Sequence, residues 1–278
     1  MKILSLGMGL QSTLIYLMSS LGELPRLDYA VFADPGSEMP ETYAYLNWLI
    51  SWQKSNNGVP IVVTGKKSLY NDLINGTNST GGRFASIPCF TKSANGEIGI
   101  LRRQCTKEYK IDEVNKSIRA LYGLKKFARF PKTDLYMGIT IDEITRMNYS
   151  KSNWATVFYP LCGYSATKNK LNKVYSFYSY NRGDCFRWYN KRHLPIPPKS
   201  ACFFCPFQSD SRWQSMKVNQ PEFFQLAVKL DYLIRDSRSK GCKEQLFLHR
   251  SCVPLDEVNF TGNKLDLFSN ECSGNCGL

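Results

Sequence analysis

The cysteines are the residues of this chain that point most directly to chemistry. The sequence has 278 residues, with 10 cysteines and only 2 histidines. Cys202 and Cys205 are separated by two residues, a spacing at which one turn can bring both sulfurs to the same metal. Cys272 and Cys276 are separated by three. Because histidine is scarce, any metal must depend on thiolates, and redox or sulfur-transfer chemistry is the alternative.

A glycine-rich turn follows the first apolar run. Residues 5–12 read SLGMGLQS, and helical spacing of apolar residues begins directly afterwards. Glycine lets the backbone approach a phosphate, and a helix amino terminus offers free N–H groups to an anion. The Ser12 hydroxyl could add a donor. The turn has neither the Gly-Lys-Ser/Thr ending of a Walker A loop nor a full dinucleotide fingerprint, and two glycines near a strand end more often mark only a tight connection.

Two further segments combine charged and nucleophilic residues. Asp34 ends a second apolar run, where a carboxylate could accept hydrogen bonds from a ribose or hold Mg²⁺; a turn before a capped helix is the alternative. In residues 102–110, RRQCTKEYK, basic side chains flank Cys105 and could bind phosphate or sulfate and lower the thiol pKa. A solvated basic helix would give the same pattern.

The apolar pattern predicts the elements that must position these residues. Apolar runs at 2–6, 29–33, 61–63 and 135–139 alternate with helical spacing at 11–21, 39–52 and 106–122. This alternation indicates a parallel sheet covered on both faces, with ligands at the carboxyl ends of the strands. Residues 75–99 are expected to form a loop or lid. Beyond residue 150 the pattern weakens, apart from a helix expected over 221–238.

Composition restricts the class of protein. With 43% hydrophobic and 21% charged residues, the chain has the composition of an ordinary globular protein. It has no apolar run of about 18 residues that would span a membrane, and its start reads as a strand and not as an export signal, so we expect a cytoplasmic protein with no membrane partner. The net charge of +13 suits nucleic acid, nucleotide phosphates or simply a basic surface.

Together the segments resemble the PP-loop (adenine nucleotide α-hydrolase) superfamily, and within it the branch similar to 3′-phosphoadenylyl sulfate (PAPS) reductases. Gly7, Gly9 and Ser12 match the later part of the PP-loop motif, while Gln11 stands where the family has Asp. Residues 32–43, FADPGSEMPETY, resemble the Asp-Thr-Gly…Pro-Glu-Thr segment of PAPS reductases. Residues 102–111 and 136–147 are similar to two more segments of that group. The tail, ECSGNCG at 271–277, resembles the Glu-Cys-Gly tail that carries the nucleophile of sulfonucleotide reductases.

The resemblance implies an α/β fold, with a doubly wound, mainly parallel, HUP-like sheet and a cysteine-containing carboxyl-terminal extension. We expect residues 1–150 to form the nucleotide-binding core and residues 151–278 a cysteine-rich region packed on it. The implied ligand is an adenine nucleotide, ATP or PAPS, with or without Mg²⁺. The residues expected to bind it are Ser5, Gly7, Gly9, Gln11, Ser12, Asp34, Gly36, Arg103, Lys110 and Gly138.

A metal site is also implied by the resemblance. Adenylyl sulfate reductases hold a four-iron, four-sulfur cluster with an early Cys-Cys pair and a later Cys-x-x-Cys. Here Cys105 matches the first of the early pair and Thr106 replaces the second. We therefore expect a [4Fe–4S] cluster, with zinc or unmetallated thiols as alternatives, at Cys105, Cys202 and Cys205. The fourth ligand must come from elsewhere, and we choose Cys185 because it lies just upstream of the Cys-x-x-Cys. Three further cysteines, Cys89, Cys162 and Cys242, are expected to be core or surface residues.

Two reactions fit the resemblance, and we favour the first. In an ATP pyrophosphatase reaction, ATP adenylates an oxygen of a nucleic-acid or small acceptor, and sulfur transfer follows; the net charge favours nucleic acid. In sulfonucleotide reduction, Cys272 attacks the sulfur of PAPS or adenylyl sulfate and sulfite leaves. Asp34 and Lys110 complete the expected catalytic set. A metal-stabilised nucleic-acid-binding module is a third alternative. A sulfur donor protein or thiol reductant and a homodimer are the other expected partners.

Overall fold

The computed structural model describes residues 1–65, 67–81, 87–236 and 242–260. Its main sheet contains five parallel strands, β1 (Lys2–Ser5), β2 (Tyr29–Ala33), β3 (Ile61–Thr64), β6 (Thr133–Tyr136) and β7 (Ala155–Tyr159). Two antiparallel strands extend it, β8 (Tyr164–Ala166) and β9 (Leu171–Lys173). The order is β3-β2-β1-β6-β7-β8-β9. The predicted α/β class with a mainly parallel sheet is confirmed.

Helices cover both faces of this sheet, so the fold is doubly wound. One face carries α1 (Leu10–Ser20), α2 (Pro40–Ser55) and α5 (Arg182–Lys191), and the other carries α4 (Asp112–Leu121). Successive side chains of strand β1 therefore pack against opposite faces of the sheet. Leu4 packs in the core with α1, α2 and α5, whereas its neighbour Ile3 packs with Val114 and Ile118 of α4.

The strand order reverses between β1 and β6. The chain runs outwards from β1 to β3 and then returns to β6 on the other side of β1. In open α/β sheets, ligands bind at the carboxyl ends of the strands beside such a reversal. The glycine turn of residues 7–9 leaves β1 at this position, and Gly138 leaves β6 there.

A second, smaller assembly packs beside the main sheet. It contains a three-stranded antiparallel sheet in the order β10-β4-β5 and a core shared with three helices. Its elements are α3 (Leu69–Ile74), β4 (Phe90–Lys92), β5 (Ile98–Ile100), α6 (Asp210–Asn219), α7 (Pro221–Ile234) and β10 (Gln245–Phe247).

This assembly changes the interpretation of residues 75–99, which were predicted to form a loop. Strand β4 and the start of β5 lie within this segment, while residues 82–86 lie outside the described part. Both strands have three residues, too few for a period-two pattern, and β4 pairs with the distant β10. The prediction of a loop throughout was therefore wrong.

The main sheet continues past residue 150, since β7, β8 and β9 all follow it in sequence. The helix predicted over 106–122 is present as a π-helical turn, Lys107–Ile111, that leads directly into α4. Residues Ile141–Arg146 form a 3₁₀ segment. Among the residues described, no helix combines the length and apolar character needed to cross a bilayer.

Candidate functional site

The glycine turn is shaped by its own backbone and by Ser12. Met8 has a φ of 57°. Gly9, which has no side chain that could cap the helix, is the N-cap of α1. The Ser12 hydroxyl accepts the Gly7 N–H at 3.1 Å and donates to the Gly9 carbonyl at 3.4 Å. Ser12 was expected to donate to a phosphate, but its hydroxyl proton is used within the turn.

Gly138 lies directly against the first turn of α1. A Cβ at this position would lie 2.4 Å from the backbone nitrogen of Ser12 and 2.8 Å from the carbonyl carbon of Gln11. No side chain fits there, so the close approach of the two chain segments requires glycine. The structure thus brings together the predicted residues from β1, α1 and the end of β6.

Gln11 contributes a buried donor at the same place. Its side chain is 3% exposed, and within the described residues its Nε2 has no hydrogen-bond partner. A buried amide nitrogen without a partner costs about 1–3 kcal/mol. An anionic or carbonyl-bearing ligand at the start of α1 would remove that cost.

Asp34 lies at the carboxyl end of β2, where it organises a turn. Its Oδ1 accepts hydrogen bonds from the Gly36 N–H at 2.7 Å and from the Tyr43 hydroxyl at 2.8 Å. Burial, followed by this bond to Asp34, raises the pKa of Tyr43 well above its usual value. Asp34 also lines a cavity with Thr64 and Lys67. The carboxylate therefore stabilises the turn and also borders a cavity in which a ligand could lie.

Lys110 is held by a glutamate that the sequence did not single out. Its Nζ lies 3.1 Å from Oε1 of Glu38, and the two side chains are 12% and 0% exposed. The second oxygen of Glu38 accepts a hydrogen bond from Ser200 at 3.0 Å. The charge of Lys110 is therefore largely compensated by Glu38, and less of it remains for a phosphate than its sequence context indicates.

Three of the expected metal ligands line one cavity. Cys105, Cys202 and Cys205, together with Arg103 and Lys110, border a small cavity that is partly open to solvent. We call it the thiol cavity. Pro35, the residue after Asp34, also lines it. The cavity is therefore adjacent to the turn at the end of β2.

The Cys-x-x-Cys loop is attached to that same turn. Cys202 forms a β-bridge with Glu38, and the Phe203 N–H donates to the Ser37 carbonyl at 3.0 Å. The Cys205 N–H donates to the Cys202 carbonyl at 3.0 Å, which closes the loop. These bonds fix the thiols relative to β2 across more than 160 residues of sequence.

Cys105 reaches the cavity from the π-helical side. It lies immediately before the π turn that carries Lys110. The guanidinium of Arg103 lies 5.5 Å from the ring centroid of Phe207, which follows the Cys-x-x-Cys loop. A π turn inside a helix is frequent at functional sites, and here it precedes α4 on the wall of the cavity.

Cys185 does not join these thiols. It is 0% exposed and packs in the core between α1, α2 and α5, with Tyr189 and Leu10 as members of the same cluster. Burial, with the Asp142 carboxylate as the next contribution, raises the pKa of Cys185 to about 12. Its assignment as the fourth ligand is corrected, because α5 packs on the main sheet and the thiol cavity belongs to the smaller assembly.

Two other thiols lie nearer to the cavity. Cys89 and Cys242 pack in the same core as Cys105 and Cys202. The pKa of Cys89 is raised well above its usual value, first by complete burial and then by Asp231, Cys105, Cys242 and Cys205. Sequence reasoning treated Cys89 and Cys242 as structural, and no local spacing distinguished them.

The thiols do not form a compact metal site. In the described ranges, no three His, Cys, Asp or Glu side chains converge to hold one metal ion. The predicted four-ligand set is not assembled either, since Cys185 lies elsewhere. What remains is a set of three thiols around a shared space. The predicted nucleophile Cys272, like Cys276, lies outside the described residues.

Comparison with known proteins gives a likeness of fold but no match to the sequence. No protein-family model and no curated protein matches the sequence. A solved structure with a similar fold is the phosphoadenylyl-sulfate (PAPS) reductase from Candida auris in its phosphate complex, with 9% identity and a TM-score of 0.41. The match covers 70% of this chain and 74% of that one. At this identity the likeness concerns the fold and gives no substrate.

Proposed function

We propose that this chain is an enzyme that binds an adenine nucleotide at the carboxyl edge of its main sheet and performs sulfur chemistry in the thiol cavity beside it. The observation that carries the proposal is the convergence of Cys105, Cys202 and Cys205 on one cavity adjacent to the Asp34 turn. Thiols from two distant segments reach the edge of the sheet where an α/β fold binds its ligands.

The nucleotide half of the proposal rests on the first turn of α1. Gly138 lets β6 approach the backbone of Gln11 and Ser12, and the Gln11 Nε2 is a buried donor without a partner among the described residues. The amino end of α1 favours negative charge there. Phosphates at this position would leave the adenosine to extend towards Asp34 and the cavity that it lines.

The favoured reaction is activation by ATP followed by sulfur transfer. An acceptor oxygen attacks the α-phosphorus of ATP and pyrophosphate leaves. The outer sulfur of a persulfide, delivered by a sulfur donor protein to Cys105, Cys202 or Cys205, then bonds to the acceptor carbon as AMP leaves. A second cavity thiol breaks the remaining sulfur–sulfur bond and releases the thiolated acceptor, and an external thiol reductant reduces the disulfide that is left. Backbone N–H groups of the glycine turn and the charge of Arg103 would stabilise the departing phosphates. Lys110 would contribute less, because Glu38 neutralises it. Mg²⁺ could bind the nucleotide with Asp34.

An iron–sulfur cluster is compatible with part of this arrangement. Cys105, Cys202 and Cys205 would hold it, since all three line the thiol cavity, which would have to widen to admit a cluster. A bound cluster would supply an iron that accepts sulfide or an electron. A zinc ion in the same place would require the three thiols to move together.

Sulfonucleotide reduction is the second candidate, supported by the tail sequence ECSGNCG. In that reaction the Cys272 thiolate attacks the sulfur of PAPS or adenylyl sulfate, the sulfur–oxygen bond to the nucleotide breaks, and a second thiol later releases sulfite. A thiol reductant would be the required partner.

One assay separates these candidates. Protein prepared without air is incubated with ATP or with PAPS, and pyrophosphate and sulfite are measured. Pyrophosphate from ATP supports the first reaction and sulfite from PAPS the second. The C105S variant should lose sulfur transfer to the acceptor but keep pyrophosphate release, which precedes the sulfur step, and C272S should lose sulfite release. C185S, matched in chemistry but buried elsewhere, should retain both products. If neither nucleotide binds, both reactions are excluded, and salt-sensitive nucleic-acid binding without turnover would favour the binding module.

A further inference from the structure

The amino edge of the main sheet, opposite the glycine turn, brings three connections together. Parallel strands β6 and β7 begin at this edge, and β8, antiparallel to β7, ends there. The chain therefore places side by side the connection before β6 (residues 122–132), the connection before β7 (147–154) and the turn between β8 and β9 (167–170).

Hydrogen bonds join the three connections into one surface. The Lys132 ammonium donates to the Asn153 carbonyl at 2.6 Å, which links the first to the second. The Ser150 N–H donates to the Thr167 carbonyl at 3.1 Å, which links the second to the third. We call this the amino-edge surface.

The charge of the amino-edge surface has one sign. The sequence has no acidic residue between Glu113 and Asp134 and none between Glu143 and Asp184. In the part of the chain that the structure describes, none of the exposed basic side chains here forms an ion pair. They are Lys125, Lys126, Arg129, Lys132, Lys151, Lys168 and Lys170.

Two aromatic rings lie exposed among these charges. Phe127 is 89% exposed and Tyr149 is 55% exposed. Phe127 has a φ of 70°, a conformation that non-glycine residues rarely adopt, and the Lys126 ammonium lies 5.3 Å from its ring centroid. Lysines alone would be an ordinary solvated surface. An exposed phenylalanine beside them adds a ring face on which a base could stack.

We infer that the amino-edge surface binds single-stranded nucleic acid. Its lysines would contact the phosphates, and Phe127 and Tyr149 would stack on bases, the combination by which proteins bind single strands without reading their sequence. The surface lies away from the glycine turn, so it anchors the strand and does not hold a reacting group. This inference does not rest on the proposed reaction, and oligonucleotide binding to the surface is measured without ATP or PAPS.

Fluorescence anisotropy with labelled oligonucleotides tests this inference. The full chain is titrated with the same mixed sequence as single-stranded RNA, single-stranded DNA and duplex DNA, over a range of salt concentrations. The K126Q/K151Q/K168Q variant removes one charge from each connection. We expect it to weaken single-strand binding by at least about tenfold and to reduce the slope of log affinity against log salt by about 2. A preference between the RNA and DNA arms identifies which strand is used.

The matched control is K54Q/K191Q/K229Q, which removes the same charge from exposed positions on α2, α5 and α7. It should bind almost as the unchanged chain does. F127A, with Y149A as a second stacking variant, should lose about tenfold for single strands and little for duplex. Melting curves confirm that each variant is folded.

Several outcomes would overturn the inference. One is no oligonucleotide binding at low salt, and another is an equal loss in the control triple variant. Duplex binding as tight as single-strand binding, with no effect of F127A and Y149A, would exclude stacking. Binding to phosphatidylserine vesicles without oligonucleotide binding would assign the surface to a membrane instead. None of these results depends on pyrophosphate or sulfite release.

Discussion

The glycine turn follows β1 and the thiol cavity borders the turn after the neighbouring strand β2, and the two regions are built in different ways. The turn is made by backbone atoms of β1, α1 and the end of β6, and short contacts such as that of Gly138 with Ser12 define it. The cavity is made by side chains from segments about 100 residues apart, held by a buried ion pair and a β-bridge. Backbone sterics therefore fix the first region, and long-range polar contacts fix the second.

The largest expected effect comes from breaking the ion pair beside the cavity. Lys110→Met leaves the fully buried Glu38 carboxylate without its cation and should lower the free energy of unfolding by about 3–5 kcal/mol. Urea denaturation measures this change. Adding E38Q should recover part of the loss, because no uncompensated charge remains. A K110M variant as stable as the unchanged chain would show that the pair does not hold the cavity.

The next effect tests the backbone contact at the turn. Gly138→Ala would place a Cβ 2.4 Å from the Ser12 nitrogen and should cost about 1–3 kcal/mol of unfolding free energy, the range for overpacking. Gly7→Ala is the control, since its Cβ would meet the Ser12 Oγ at an ordinary 3.6 Å. Equal destabilisation of the two variants in urea would contradict a steric requirement specific to residue 138.

The pH dependence of the unfolding free energy distinguishes the buried Cys185 from the cavity thiols. Burial raises the pKa of Cys185 to about 12 from its ordinary 9.0, so its neutral thiol stabilises the fold fully below pH 9 and this contribution is lost between pH 9 and 12. Between about pH 8 and 10, the unfolding free energy of the unchanged chain should fall by about 1 kcal/mol more than that of C185A. Parallel pH profiles for the two proteins would show that Cys185 is not buried as described.

The smallest effect concerns the hydroxyl inside the turn. Ser12→Ala removes the acceptor of the Gly7 N–H and the donor to the Gly9 carbonyl, and should cost about 1 kcal/mol. Ser51→Ala, which loses an exposed bond to the Asn47 carbonyl, is the control and should change stability by less than about 0.5 kcal/mol. Thermal or urea unfolding distinguishes the two. A loss of nucleotide binding without any loss of stability would instead assign the hydroxyl to the ligand.

The turn was predictable from sequence because its signal is local. Apolar runs located β1, β2 and β3, and the glycines marked the connection to α1. Little in the sequence indicated that residue 138 must be glycine, because the atoms that a Cβ there would meet belong to residues more than 120 positions earlier. A local sequence pattern predicts where a strand or helix lies but rarely which distant residues it contacts.

The cavity was predictable only in part. The Cys-x-x-Cys spacing and the basic segment around Cys105 indicated three of its thiols, but Cys185 was added by its proximity in sequence to residue 202, and packing of α5 on α1 separates them. Glu38 was missed because a glutamate after a Pro-Gly turn has no distinctive pattern until Lys110 and Ser200 are seen to reach it. The tail thiols stay a prediction.

The π-helical turn at Lys107–Ile111 sets the rotation, about the helix axis, of the two helical residues before it, Cys105 and Thr106. An α-helix advances about 100° per residue, and a π turn accommodates one residue more than an α turn. Removing one residue between 107 and 111 would let the helix become regular and would rotate Cys105 by about a quarter turn about its axis. The length of this segment, and not only its composition, therefore determines whether Cys105 faces Cys202 and Cys205.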